Sequence, residues 1–218
     1  DYPDRSGAAY VEQCAEKLRR CYRLAQTADS IDTLRGIEGE AASVYFSAFP
    51  NLILNNDRCF IFAGRNKRPP TDIVNAMLSF GYSLLAADCA SALESVGLDP
   101  AVGFMHTLRP GRNSLALDLM EELRAYIVDR LVLSMINMRQ VSSSDFLVHD
   151  DDCRISVEFT DKGRKAFLTA WQNKKKTEVV HPFLNEKISL GLLPYVQAML
   201  LARYLRQDLD DYPVFIAK

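Results

Sequence analysis

A chain of 218 residues with 48% hydrophobic and 25% charged side chains has the apolar mass for a real core, which sets it apart from disordered and fibrous classes. Its formal net charge of −2 excludes a bulk polyanion binder, so contact with nucleic acid has to come from local basic patches. Five cysteines, an odd count with no C-x-x-C pair, argue against a disulfide framework or structural zinc and for a reducing, cytoplasmic compartment. No secretory signal and no apolar run of about 18 residues stands out, so no membrane is expected. The chain starts at Asp1 without a methionine, as a fragment lacking its N-terminal part would.

Ser6 can cap a first helix running to about Asp29, with Tyr10, Cys14, Leu18, Cys21 and Leu24 at helical spacing. Ser30 can cap a second, from Ile31 to about Phe49, whose buried stripe is Leu34, Ile37, Ala41, Val44 and Tyr45. Its interior glycines, Gly36 and Gly39, cost about 1 kcal/mol each relative to alanine, which a helix tolerates where something must approach its backbone. Residues 51–70 read as a loop that ends in the basic, proline-closed run Arg65-Asn66-Lys67-Arg68-Pro69-Pro70. Thr71 then caps a long helix to about Val96, stopped by Gly97 and Pro100, with Asn75, Ser79, Tyr82 and Ser83 as a polar seam.

His106 lies in the loop 103–112, and one helix is expected from about Ser114 to Asn137. Residues 145–159 suggest a short hairpin that turns at Asp150-Asp151-Asp152. Thr160 caps a helix that passes Trp171 and ends in Lys174-Lys175-Lys176. A last helix is expected from Asn185 to Arg206, kinked or broken by Gly191 and Pro194, followed by an irregular tail. There is no internal repeat, and the pattern is mostly α.

Glu38 falls where an amphipathic helix should be apolar. A surface glutamate paired with Arg35 at i−3 is the bland explanation, and the flanking glycines argue against it. His106 is followed by Arg109, Gly111 and Arg112, two guanidiniums and a flexible backbone that resemble a phosphate clamp. His149 and His181 carry no such company, and His181-Pro182 reads as a helix-entry turn. Asp118, Glu121 and Glu122 stand at i, i+3 and i+4 on one helix side. The helix dipole explains Asp118, but a carboxylate beyond the first turn among Leu117, Met120, Leu123 and Ile127 needs a partner or a cation. One imidazole and several carboxylates form a hard, oxygen-rich set suited to Mg²⁺ or Mn²⁺, ions that favour phosphate chemistry. Arg65 to Arg68, Arg109 with Arg112, and Lys174 to Lys176 each suit a solvated surface, and together offer three tracks for a phosphate backbone.

Four segments, Gly36-Ile37-Glu38-Gly39, Asn75 to Tyr82, Gly103-Phe104-Met105-His106 and Arg109 to Glu122, together resemble the CRISPR-associated spacer-integration endonuclease family, in the manner of a type I-C member. Gly163 to Phe167, Gln197 to Arg203 and Tyr212-Pro213 fit as well, in the same order and without a large gap. The resemblance implies a two-domain protein, a small N-terminal β-domain followed by an α-helical catalytic domain. Residues 1–218 would be the second alone: mostly α, multi-helical, with at most a short β-hairpin. It implies a Mg²⁺ or Mn²⁺ site formed by Glu38, His106 and Glu121, where many relatives have aspartate at the position of Glu121. Asp118 matches a supporting acidic position, and Glu122 matches none.

The expected activity is a metal-dependent DNA endonuclease and integrase of CRISPR adaptation, inserting captured DNA fragments as spacers. Water would be the nucleophile in cleavage and a 3′-hydroxyl in integration. Arg109 and Arg112 would hold the DNA backbone, with Asn75 and Tyr82 lining the groove. Expected partners are double-stranded and branched DNA, a second copy in a full-length homodimer, and the small ferredoxin-like CRISPR adaptation nuclease, in the cytoplasm of a prokaryote and without a membrane. Two other readings stand beside this one. One is a non-enzymatic helical DNA-binding scaffold. The other is a metal-dependent nucleotide hydrolase, for which a single carboxylate-dense helix is a poor match.

Overall fold

The computed structural model describes residues 7–151 and 154–216. Ser6, Asp152 and Cys153 lie outside them, so the expected cap of the first helix and part of the acidic turn are not described. Helix α1 (Ala8–Ala25) packs chiefly against α2 (Ile31–Ala48). Only Cys14 and Cys21 of the expected α1 stripe are buried; Tyr10 and Leu24 are exposed. Ser30 caps α2 by accepting the Thr33 amide at 3.1 Å.

The segment after α2 is more ordered than a loop. It forms two 3₁₀ turns, Phe49–Leu52 and Arg58–Phe60, and buries Phe49, Phe60 and Phe62. Helix α3 (Ile73–Ser95) starts one residue later than expected, because Asp72 and not Thr71 accepts the Asn75 amide, at 2.8 Å. Gly97, at φ +83°, ends it in the left-handed region that favours glycine. By length and hydropathy α3 could cross a membrane, against the expectation of no such run, but 61% of its apolar window is buried. Val74, Met77, Leu78, Leu85, Cys89 and Leu93 make it the axis of the hydrophobic core.

Around α3 pack α4 (Ser114–Arg124), a π-helical turn (Ala125–Asp129) and α5 (Arg130–Asn137). The single helix expected over 114–137 is thus continuous in course but widened for one turn, a feature frequent at functional sites. Strands β1 (Phe146–Asp151) and β2 (Arg154–Phe159) form the expected antiparallel hairpin, pairing Phe146 with Phe159 and Val148 with Val157. Asp150 and Asp151 belong to the strand and not to the turn. Thr160 caps α6 (Asp161–Lys175) through the Gly163 amide at 3.1 Å.

A second hairpin pairs β3 (Glu178–Val180) with β4 (Lys187–Ser189), and β4 lies in the first eight residues of the expected last helix, which are not helical. Helix α7 (Leu193–Leu205) begins only after it, with Pro194 in the first turn, where the missing N–H leaves no bond unmade. His181 is not in a helix entry. It is wholly buried, and its Nε2 lies 2.8 Å from Gln197 Oε1 of α7. The architecture is mostly α, with two small hairpins where at most one was expected.

Candidate active site

A cleft of about 1210 Å³ opens between α2, α3, α4 and the loops 62–68 and 106–113. Arg65, Lys67, Arg68, Arg109, Arg112 and Arg124 line it, against only two carboxylates, Glu38 and Glu121. A chain with a formal charge of −2 therefore concentrates positive charge in one trough.

His106 is the most firmly placed of the candidates. The Asp118 side chain, with no exposed surface, accepts the amides of Phe104 and Met105 on Oδ2, at 2.7 and 3.1 Å. On Oδ1 it accepts the His106 amide at 3.0 Å and lies 2.7 Å from His106 Nδ1. A carboxylate only accepts, so Nδ1 carries a proton, and the neutral tautomer of this ring has its lone pair on Nε2. Gly103 makes this possible: a Cβ there would lie 2.8 Å from Asp118 Oδ2 and 2.7 Å from Ser114 Cβ. The loop is clamped from the other side by Arg35, whose Nε and Nη2 donate to the Met105 carbonyl at 3.1 and 2.6 Å. Arg35 turns to this carbonyl and to Asp32 rather than to Glu38, so the bland pairing for Glu38 is not the one formed.

Glu38 stands exposed on the cleft wall and has no hydrogen-bond or ion-pair partner among the described residues. Glu121 is half-buried and pairs with Arg124 at 2.9 Å. Burial pushes its carboxyl above the ordinary carboxylate range; Arg124 pulls it back, Glu38 pushes it up, and His106 and Lys67 pull it down. Glu121 thus feels the charge of both Glu38 and His106, and all three line the cleft. Among the described residues, however, no three such side chains are gathered tightly enough to enclose an ion. Their chemistry fits a hard divalent cation: two carboxylates set against each other and an imidazole with a free Nε2. Glu121 would exchange Arg124 for the ion.

Arg109 and Arg112 line the cleft as expected of a backbone clamp. Tyr82 lines it too, but its hydroxyl points inward and donates to Asp129 Oδ1 at 2.5 Å. Asn75 does not line the groove. It is wholly buried and donates from Nδ2 to Gly64 O and Asp72 Oδ2 at 2.8 and 2.6 Å. Its Oδ1 accepts from Arg65 Nη1 and the Asn66 amide at 2.7 and 3.0 Å. It fixes the basic loop and has no polar group left for DNA.

Arg124 and Asp129 are not among the expected site residues, and Arg65 sits deeper than its basic run implies. Arg124, one turn after Glu121, is legible in retrospect from the i+3 spacing. Arg65 belongs to a run that suits a solvated surface, yet it is half-buried, held by Asn75 and Ser79, with its guanidinium carbon 5.3 Å from the Tyr82 ring centre. Its Nε has no partner among the described atoms, and burial pushes its pKa down. Asp129, 1% exposed, sits in the π-turn and also accepts from the Tyr45 hydroxyl at 2.7 Å. A carboxylate inside the apolar run from Tyr126 to Leu131 was its sequence signal.

A model of the family described as CRISPR associated protein Cas1 matches residues 2–173. The chain belongs to the Cas1 family. It is 53% identical over 218 residues to a protein from Rhodospirillum rubrum called CRISPR-associated endonuclease Cas1 2, covering all of this chain and 62% of that protein. A Cas1 protein from Thermotoga maritima superposes with a TM-score of 0.77 at 30% identity, covering 92% of this chain and 61% of that one. A casposase bound to its integration product superposes at 0.79 with 26% identity, over 95% of this chain and 61% of that one. The chain spans 62% of the length of the Rhodospirillum relative, and 62% of one from Chlorobaculum tepidum.

Proposed function

We propose that this chain is the α-helical catalytic domain of a Cas1 protein, a divalent-metal-dependent DNA endonuclease and integrase that inserts captured DNA fragments as spacers in the cytoplasm of a prokaryote. The observation that carries the reading is that Glu38, Glu121 and the Asp118-fixed His106 line one cation-rich cleft. The likeness to a casposase bound to an integration product, and the names of the relatives as endonucleases, support it.

Glu38, His106 and Glu121 would hold Mg²⁺ or Mn²⁺. When bound, the ion supplies Lewis-acid stabilisation of charge on a non-bridging phosphate oxygen. Asp118 keeps the His106 ring in one tautomer and one orientation. Arg109 and Arg112 hold the DNA backbone on the cleft's rim, and Arg65 and Arg124 set planar cations deeper along it. In integration the 3′-hydroxyl of the captured fragment forms one phosphodiester as another breaks, so the bond count is conserved and no outside energy is needed. The substrates are double-stranded and branched DNA. The full-length protein pairs as a homodimer and works with the small ferredoxin-like adaptation nuclease.

The test is cleavage of branched duplex DNA by the purified chain. Chelation abolishes turnover and added Mn²⁺ restores it. Glu38→Ala and His106→Ala each lower the rate by on the order of 10³-fold. Asp118→Asn lowers it by roughly 10- to 100-fold and raises the Mn²⁺ concentration needed. DNA binding that is indifferent to metal, with no cleavage to lose, would instead mark a helical scaffold.

A further inference from the structure

The cleft takes up two of the three basic tracks and leaves the run Lys174-Lys175-Lys176. The fold sends its members to different places. Lys175 pairs with Asp88 of α3 at 2.7 Å, and Lys176 is exposed at the end of α6. Lys174 is half-buried, with its Nζ 5.8 Å from the centre of the Tyr126 ring. The same ring carries the Arg130 guanidinium, its central carbon 4.4 Å away. Tyr126 comes from the π-turn, Arg130 from the first residue of α5 and Lys174 from the last turn of α6.

Two cations from separate elements thus share one aromatic ring. Among the described residues neither pairs with a carboxylate, whereas Arg124 and Lys175 beside them both do. A lysine at a helix C-terminus is ordinarily explained by the dipole. That does not explain why Lys174 is packed toward a second cation. Burial first, then Arg130, lowers its pKa. None of the three residues lines the cleft. Yet Arg130 lies on the same helical course as Glu121, nine residues and roughly 13 Å of axis further on.

We propose that Arg130 and Lys174, seated on Tyr126, form a second phosphate-binding site outside the cleft. It takes a backbone phosphate of the same nucleic acid, away from the reacting one. A guanidinium supplies the planar fork and the ammonium a point charge, the pair of donors a phosphodiester accepts. DNA is favoured over an acidic protein because the cleft next along the same helix is already lined for phosphate. The proposal rests on the DNA reading of that cleft, though not on its catalysis.

The test uses the full chain, a duplex several turns long, and no divalent ion, so that binding is read without chemistry. Arg130→Gln with Lys174→Gln should weaken binding and lower the slope of log affinity against log salt by about 1.8, two phosphates at about 0.9 each. Arg130→Lys with Lys174→Arg, which keeps both charges, should keep the slope. An unchanged slope in the neutral variant overturns the proposal. So does an equal loss in the charge-preserving variant, which would mean packing on Tyr126 alone. Competition by polyglutamate that depends on Arg130 and Lys174, with duplex binding indifferent to them, would assign the site to an acidic protein and overturn it as well. If Glu38→Ala leaves cleavage intact while the slope still falls, the catalytic reading fails and this site stands.

Discussion

Glu121 and Glu122 are neighbours on α4, about 100° apart around the helix, and they live in different chemistry. Glu121 faces the open cleft with one replaceable partner, Arg124. Glu122 is held in a closed polar knot. It accepts the Tyr212 hydroxyl at 2.5 Å, the Phe215 amide at 2.9 Å and Gln197 Nε2 at 3.1 Å, and Gln197 in turn meets His181 at 2.8 Å. One carboxylate is left with capacity for a ligand, and the other fastens the C-terminal tail to the core. Identity and spacing do not separate the two roles; the number of committed donors does.

The comparison is broken most directly by exchanging each carboxylate for its amide. Glu121→Gln should lower cleavage by on the order of 10²- to 10³-fold while the melting temperature stays within a few degrees. Glu122→Gln replaces one acceptor oxygen with an NH2 donor, which then faces the donors of Gln197 or Phe215 and leaves one of them unpaired. It should lose about 2–3 kcal/mol of stability, read by urea or thermal melting, with the folded fraction still active. If Glu122→Gln abolishes cleavage in a fully folded protein, the division between ligand and fastening residue is wrong.

Asp129 sharpens the same contrast at a second buried carboxylate. Burial raises its pKa above the ordinary carboxylate value, against the pull of the Tyr82 and Tyr45 hydroxyls. A raised acid keeps its proton in the folded chain at a pH where the unfolded chain has lost it. The folded state then binds more protons, and stability falls as pH rises from the ordinary carboxylate range to the raised value, and is level above it. The slope is at most about 1.4 kcal/mol per pH unit for one proton. Asp129→Asn keeps a partner for both tyrosines and removes the titration, so its stability should depend less on pH across that window. An undiminished slope would place the titrating carboxyl elsewhere, at Glu121 or Glu122, both of which burial also raises.

What the sequence made legible was local. Ser30 and Thr160 cap where their spacing to the next helix says, because a cap needs only its own turn. Thr71 and Asp72 are both capping residues, and only the traced backbone decides for Asp72. The β3–β4 hairpin was illegible because three-residue strands carry too little alternation to compete with a helical pattern. Of the candidate site, the carboxylate face of α4 and the Glu38 anomaly were readable from helical period. The Asp118 cradle was not, since its donors are main-chain amides, which no residue type announces. Asn75 shows the converse: a polar residue in an apolar helix looks like a groove wall and turns out to hold a loop from beneath.

The smallest effect concerns the glycines beside Glu38. They were expected where something approaches the α2 backbone, yet a Cβ built at Gly36 or Gly39 meets no other part of the described chain within 4 Å. Nothing within the fold therefore requires them. Gly39→Ala should raise stability by about 0.5–1 kcal/mol through the lower backbone entropy lost on folding. If DNA comes against this turn of α2 on its way to Glu38, the same variant should bind duplex less tightly despite being more stable. A stabilised variant with unaltered binding and cleavage would show that the glycines leave room for nothing the reaction uses. Glu38 would then be set apart only by the cleft it faces.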